Sequence, residues 1–400
     1  MTELSFEKVK ELDHKYRYQN YNPFPVEFVK GENDVLFDES GKSYIDNLSG
    51  IAVMSLGHGN KDLAQLAYDQ VMSVQHTSNL FFNKEQSLLS QALVEATFPS
   101  RVLYCSTGTE ANEAAFKLMR AYGFSKNEKK QKIISLTNSF HGRTFGSMAL
   151  TGQEKVQKGF GNMLEGVVNI PLNDLEALEK EFDENTCGII METLQGEGGL
   201  SVATPEFVKK ARELASQYDA LFAVDEIQSG IGRTGKLFHY EHYNVTPDIV
   251  TMAKGLGGGF PIGAIQVATA FENVFKPGMH GTTFGGNYLV CRIARHIIEV
   301  VNQEKFLQEV YEKAELYETL LNEIVNSQEK AIEVRGRGLM RGLKIDDSIV
   351  AREFAIKLLD KGVVIGVAGG NTLRFVPALT ITKENIQKSI KAVGELLAEY

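Results

Sequence analysis

The stretch Asp248-Ile-Val-Thr-Met-Ala-Lys254-Gly-Leu-Gly-Gly-Gly259-Phe-Pro261 decides the reading of this chain, because a short apolar run ends on a lysine that opens a glycine-rich turn. Four to six apolar residues bounded by turn signals read as a buried strand. A second run of this kind, Ala220-Leu-Phe-Ala-Val224, closes on Asp225-Glu226, 29 positions before the lysine. In open α/β sheets ligands sit outside the carboxyl ends of the strands. An acid and an amine are therefore expected at one site.

Working outward, the same signal recurs at Val102–Cys105, Ile133–Leu136, Gly166–Ile170, Cys187–Met191 and Ala264–Val267, with amphipathic stretches such as Glu206–Tyr218 between the runs. The pattern predicts an α/β core built on a largely parallel sheet. After Asn287 the character changes to long helical patterns over Ile293–Val300 and Phe306–Val325. Glycine-punctuated strands follow at Gly338–Ile345 and Leu373–Pro377. Near the start, Val35–Asp38 and Lys42–Asp46 flank the turn Glu39-Ser-Gly41 as a hairpin expected to pack on the carboxy-terminal part. The expected division is a large domain over 56–285 and a smaller α+β domain made from 1–55 and 286–400. Ser125–Lys132 reads as a solvated loop.

With 400 residues, 43% hydrophobic and 23% charged residues and a net charge of −9, the chain can bury a large core and makes a poor partner for nucleic acid. Cys105, Cys187 and Cys291 are far apart and odd in number, which points to reduced thiols. Met1–Lys10 lacks the apolar core of a secretory leader, and no apolar run approaches the ~20 residues that span a bilayer. The expectation is a cytoplasmic enzyme without a membrane partner.

A lysine beside glycines is usually a surface charge. It can also belong to a phosphate loop, but that motif places glycines before the lysine, and here they follow. Pyridoxal phosphate needs both groups at hand, since its aldehyde bonds to a lysine amine and its ring nitrogen pairs with an aspartate. Ser106-Thr-Gly-Thr-Glu-Ala-Asn-Glu113 follows a strand and opens a helix, so its backbone N–H groups suit a phosphate at Gly108 and Thr109; a plain helix cap reads the same way. In Ser139-Phe-His-Gly-Arg-Thr144, Phe140 can cover a planar ring while Arg143 grips a carboxylate. His141 reads as a packing histidine rather than the base. Glu192-Thr-Leu-Gln-Gly-Glu-Gly-Gly199 places two acids in a glycine-rich turn. His239 and His242 lack further ligand-like neighbours, and no metal site is expected.

These segments resemble the class III, or ornithine-type, pyridoxal-phosphate aminotransferases. So do Asp225-Glu-Ile-Gln-Ser-Gly-Ile-Gly-Arg-Thr-Gly235 and Thr282-Thr-Phe-Gly-Gly-Asn287, and the likeness runs from Tyr21-Asn-Pro-Phe-Pro-Val26 to Leu373-Arg-Phe-Val-Pro377. The resemblance implies fold type I and a homodimer with shared active sites. It makes Lys254 the lysine bonded to the cofactor, Asp225 the partner of the ring nitrogen, Gln228 a neighbour of the ring hydroxyl and Phe140 the stacked ring. Glu192 joins the cofactor set. Gly108 and Thr109 hold the phosphate with help from Thr283 of the other subunit. Arg143 and Tyr21 bind a substrate carboxylate, Arg374 binds the α-carboxylate of glutamate, and Glu197 pairs with Arg374 when that site is empty.

The implied activity is transfer of the terminal amine of N2-acetyl-L-ornithine to 2-oxoglutarate. Ornithine, succinylornithine or succinyldiaminopimelate are alternative donors. A racemase or decarboxylase of the same fold would keep Lys254 and Asp225 but would not need two carboxylate-binding arginines, and a non-catalytic binding protein gives no reason for the lysine and acid together. Thr193 and Tyr288 stand where relatives usually carry proline, and Gly59-Asn60 replaces a frequent Cys-His pair. Ile51 stands where ornithine enzymes tend to carry a tyrosine for the free α-amino group, which favours an acylated donor.

Overall fold

A computed structural model describes residues 4–400, so Met1–Glu3 of the amino terminus read above lie outside the described residues. The centre is a seven-stranded sheet ordered Ser100–Cys105, Gly263–Ala268, Ile249–Met252, Leu221–Asp225, Thr186–Met191, Lys132–Leu136 and Val167–Ile170. All seven apolar runs expected as strands are there. Alternate residues of these strands enter two cores: Ile134, Ile189, Phe222, Val224 and Val250 on one face, Ile133, Ile190, Leu221, Ala223 and Ile249 on the other. A sheet buried on both faces needs continuous apolar strands, and the sequence supplies them.

Six strands run parallel; Gly263–Ala268 runs antiparallel to both of its neighbours. The reversal has a local cause. The chain leaves Met252, passes through the Lys254 turn and returns beside the same strand from Gly263, without a crossover helix. Four of the other parallel strands deliver Ser106, Thr137, Glu192 and Glu226 to the same carboxyl edge, so four loops converge on the lysine turn, five with that turn itself.

Two four-stranded sheets join the chain ends. The hairpin Val35–Asp38 with Ser43–Asp46 forms as expected, gains Phe28–Glu32 on one side, and pairs in parallel with Val363–Val364 on the other. Ala331–Arg337, Met340–Ile345, Thr372–Phe375 and Gly366–Ala368 form the second, with Arg374 on an inner strand. The long helices span Tyr288–Val301 and Glu304–Ser327. The solvated loop expected at Ser125–Lys132 needs correction. The helix from Gly108 continues to Lys126, a strand starts at Lys132, and Lys130 is buried with its Nζ donating to the carbonyl oxygens of Tyr218 (2.7 Å) and Glu184 (3.3 Å). A run of charges cannot show that one of its amines is buried against backbone carbonyls of two distant segments. No helix among the described residues is long and apolar enough to cross a membrane.

Candidate active site

The five loops, with Val53, enclose a cavity of about 370 Å³. Its wall includes Gly108, Thr109, Phe140, Arg143, Glu192, Glu197, Asp225, Gln228 and Lys254, so most side chains singled out from the sequence meet in one place.

Lys254 is the first residue of a single 3-10 turn, Lys254–Leu256, and its φ of 40° lies in the left-handed region that non-glycine residues rarely adopt. The glycines after it are required by crowding: a Cβ on Gly257 would stand 1.9 Å from the Phe260 carbonyl oxygen. Burial holds the Lys254 ammonium below the ordinary lysine range. Glu197 is the strongest opposing charge, and Arg374 adds to the downward shift.

Asp225 is the last residue of its strand and is buried. One carboxylate oxygen accepts from the Ile227 N–H (3.0 Å). The other accepts from Asn112 Nδ2 (2.7 Å) and pairs with His141 Nδ1 (2.7 Å). Asn112 Nδ2 also donates to the His141 carbonyl oxygen (2.7 Å), tying the helix, the 140–143 loop and the strand end into one clamp on the acid. Glu192 accepts from the backbone N–H groups of Phe140 (2.9 Å) and Gly196 (3.2 Å) and so joins two of the loops. Burial, reinforced by the charge of Asp225, pushes its carboxyl up to about 7.

Thr107 caps the helix Gly108–Lys126 in a reciprocal box with Glu110, whose carboxylate accepts from the N–H groups of Ser106 (2.6 Å) and Thr107 (3.0 Å). The plain capping reading thus holds for Thr107 and Glu110, while Gly108 and Thr109 reach the cavity. The Thr109 hydroxyl accepts from the N–H groups of Arg143 (3.0 Å) and Thr144 (3.2 Å), which brings the 140–144 loop onto the helix. The Arg143 guanidinium lies 5.4 Å from the centroid of the Phe140 ring, within cation–π range.

Arg374 is 4% exposed in its strand and forms an ion pair with Glu197. The same guanidinium nitrogen lies 3.4 Å from the Gly196 carbonyl oxygen and 3.5 Å from Gln228 Oε1, while Arg374 Nε is buried without a partner. Burial pushes the Glu197 carboxyl up, but Arg374 and then Lys254 outweigh it, and it ends below its ordinary value.

Three expected residues stand elsewhere in this chain. Tyr21 is exposed, with the Arg17 guanidinium 5.7 Å from its ring. Ile51 is 40% exposed and off the wall, where Val53 stands instead. Thr283 is exposed and lines an adjoining cleft with Ser106, Glu110, Glu113 and Thr144; Ser106 borders both spaces. Sequence reasoning gave no site role to Asn112, His141, Ile227 and Val53. Asn112 and His141 lay inside quoted motifs, but only the fold shows that both meet Asp225.

Other motif residues serve structure. Glu226 accepts from Ser229 Oγ (2.8 Å) and from the N–H groups of His239 (3.0 Å) and Tyr240 (2.8 Å). His239 Nδ1 bonds Thr193 Oγ1 (2.8 Å), so the threonine found in place of proline has a buried partner. Tyr288 opens a helix capped by Asn287, and its hydroxyl donates to the Phe82 carbonyl oxygen (3.1 Å).

Residues 16–397 match the aminotransferase class-III family. This chain belongs to that family. It is 45% identical over 388 residues to an acetylornithine aminotransferase of Caldanaerobacter subterraneus subsp. tengcongensis, covering 97% of this chain and 98% of the relative. Its fold matches an ornithine aminotransferase of Toxoplasma gondii, solved with partial occupancy of PLP at its active site, at a TM-score of 0.94 and 31% identity over 99% of this chain and 95% of that one. It also matches an acetylornithine aminotransferase of Elizabethkingia anophelis at 0.89 and 32%, over 99% of both chains. For a class III aminotransferase the cavity has a sensible chemistry: an amine of lowered basicity, a clamped acid, one arginine on the wall, and a second arginine behind it, paired with Glu197 of the wall.

Proposed function

We propose that this aminotransferase uses pyridoxal phosphate to move the terminal amino group of N2-acetyl-L-ornithine to 2-oxoglutarate, giving N-acetylglutamate 5-semialdehyde and glutamate. One observation carries the reading: the Glu197–Arg374 ion pair stands at the edge of the cavity that holds Lys254 and Asp225. Two unlike substrates must use that cavity in turn, one with a single carboxylate and one with two. An arginine that can be paired or released serves both. The acetylornithine aminotransferases similar to this chain support the choice of donor.

The residues present suit the cofactor. Bound there, it supplies an aldehyde that takes up the amine and a protonated ring that draws electron density from the reacting carbon. The helix amino terminus at Gly108 and Thr109 offers backbone N–H groups to its phosphate. A Cβ on Gly108 would come within 2.9 Å of Ile227, so glycine is what lets the helix end lie this close to the 225–228 loop. Asp225, fixed by Asn112, His141 and the Ile227 N–H, would hold the ring nitrogen, Gln228 the ring hydroxyl and Phe140 the ring, and Glu192 sets the backbone of Phe140. Lys254 would hold the cofactor through its Nζ, and the same amine would be the group that carries a proton at the substrate's terminal carbon. Arg143 would hold the carboxylate common to donor and acceptor and Arg374 the second carboxylate of 2-oxoglutarate; Tyr21, which stands off the wall of this chain's cavity, would have to be brought to Arg143 to share the first.

The active enzyme is a cytoplasmic homodimer in this reading. Leu80, Phe81, Phe82 and Phe284 are exposed around hydrogen bonds from Asn79 to the carbonyl oxygens of Thr282 (3.2 Å) and Gly285 (3.1 Å), an apolar patch that a second copy would cover. Thr283 lies in that patch and would reach the phosphate of the other subunit. Residues 56–285 form the cofactor domain. The pairing of Val363–Val364 with Ile45–Asp46 supports a smaller domain drawn from 1–55 and 286–400.

The test is a panel of ω-amines with 2-oxoglutarate as acceptor, following glutamate. N-acetylornithine is expected to exceed ornithine in kcat/KM, because Ile51 and Val53 offer apolar surface where a free α-ammonium would need a partner and an acetamide would not. Equal or faster turnover of ornithine at the same pH would make this an ornithine enzyme.

A further inference from the structure

Four consecutive residues, Ser49, Gly50, Ile51 and Ala52, have positive φ angles of 46°, 65°, 65° and 62°. L-residues visit this region singly, and a β-branched residue there is a genuine outlier. Such strain persists only where the surroundings over-determine it. Here they do. Asp46 Oδ1 accepts from the N–H groups of Leu48 and Ser49 (both 2.8 Å), and the Leu48 carbonyl oxygen accepts from Ile51 (2.8 Å) and Ala52 (3.0 Å). The Ser49 carbonyl oxygen accepts from Val53 and Met54 (both 2.9 Å).

The turn is fastened at both ends to the site. Ser49 Oγ donates to the Val376 carbonyl oxygen (2.5 Å), and the Val376 N–H donates to Asn47 (2.8 Å), just beyond the strand that carries Arg374. At the other end Ser55 Oγ donates to the Gly255 carbonyl oxygen (3.0 Å), next to Lys254, while the Ser55 carbonyl oxygen accepts from the Leu379 N–H (2.9 Å). A Cβ on Gly255 would strike Ser55 Oγ at 2.6 Å, so the two segments touch closely. Between these ends Val53 lines the cavity.

We infer that the left-handed turn Ser49–Ala52 is a positioning element that fixes the Lys254 turn relative to the Arg374 strand, and that Gly50 is the positioning residue on which its handedness depends. The functional part of this inference rests on the roles proposed above for Lys254 and Arg374. A right-handed path through residue 50 would change the direction in which Val53 and Ser55 leave the turn. The strained backbone of Lys254 would then lose the hydroxyl that holds Gly255.

Gly50 gives a clean test, because a Cβ there meets only Val53 Cβ at an ordinary 3.6 Å and position 50 is exposed. Side-chain size is not the obstacle; the φ of 65° is. Gly50→Asn, Gly50→Ala and Gly50→Val impose increasing backbone penalties, since asparagine tolerates the left-handed region best and a β-branched residue worst. Each variant is prepared loaded with cofactor and studied below its own unfolding midpoint.

Two readouts are followed: the pH titration of the bound cofactor's visible absorbance without substrate, which reports the Lys254 nitrogen, and single-turnover constants for donor and acceptor. The titration midpoint should shift progressively in the order Asn, Ala, Val. For Gly50→Ala both half-reactions should slow by roughly 5–30-fold, the size of the left-handed penalty for one residue, with Gly50→Asn closer to wild type. Lowered thermal midpoints with wild-type titrations and rates would make the turn merely structural and overturn the inference, as would equal behaviour of Asn and Ala. If the wild-type chain forms no glutamate, the functional reading fails by itself, and the absorbance series still decides the turn.

Discussion

Glu197→Ala removes the ion-pair partner of an arginine that is 4% exposed. Breaking a buried ion pair costs about 3–5 kcal/mol where nothing else compensates. That full cost does not apply here, because the Glu197 side chain is 29% exposed and Arg374 keeps the Gly196 carbonyl oxygen at 3.4 Å and Gln228 Oε1 at 3.5 Å. The loss is then that of one charge-assisted hydrogen bond, about 1.5–3 kcal/mol, or roughly 10–150-fold in a rate constant. It should fall on the donor half-reaction, in which the substrate's amine approaches an arginine left unpaired. The acceptor half-reaction gains a released Arg374 for the second carboxylate of 2-oxoglutarate and should be unchanged or faster. Arg374→Ala should show the opposite, damaging mainly the acceptor half. Rapid-mixing single turnovers of each half on the loaded enzyme separate them. Equal slowing of both halves in both variants would refute the switch and leave the pair a structural link.

Thr283 is expected to act across the dimer, so Lys254→Ala chains coexpressed with Thr283→Ala chains should yield heterodimers with one intact site and more activity than either mutant homodimer; no recovery in isolated heterodimers would place each site within one subunit. Acid should destabilise the protein through its buried imidazoles. Burial pushes His242 down to about 4 and holds His239 well below the usual histidine range, so each contributes stability that is present above pH 6.5 and lost as pH falls through its folded value. Each can add up to about 1.4 kcal/mol per pH unit to that loss. His242→Gln keeps a donor for the Thr234 carbonyl oxygen (3.2 Å), and its urea midpoint should fall less between pH 6.5 and 4 than that of wild type. A parallel decline would remove His242 from the acid response.

Much of this architecture was legible because its signals are local. Each of the seven central strands is an apolar run buried on both faces, and the Lys254 turn is a lysine followed by glycines that the packing at Gly257 requires. The direction of Gly263–Ala268 was not legible, since an apolar run carries no sign for parallel or antiparallel pairing. Nor were the clamp on Asp225 and the buried Lys130. Asn112 and Asp225 are 113 residues apart, and Lys130 and Tyr218 are 88 apart, so only the fold brings them together. The left-handed turn at 49–52 was invisible for a different reason: of its four residues only Gly50 announces a positive φ, and the other three are held there by Asp46, Leu48 and Val376.

The central claim is that Lys254 carries the cofactor of this aminotransferase. Borohydride reduction of the purified, substrate-free enzyme followed by peptide mass mapping tests it most directly. One pyridoxyl-phosphate adduct per chain is expected, on the peptide containing Lys254, and none after the enzyme has been exhausted with N-acetylornithine alone, because the amino group left on the cofactor then stands where the lysine was bonded. An adduct on another lysine, or one on Lys254 that N-acetylornithine fails to remove, would contradict it.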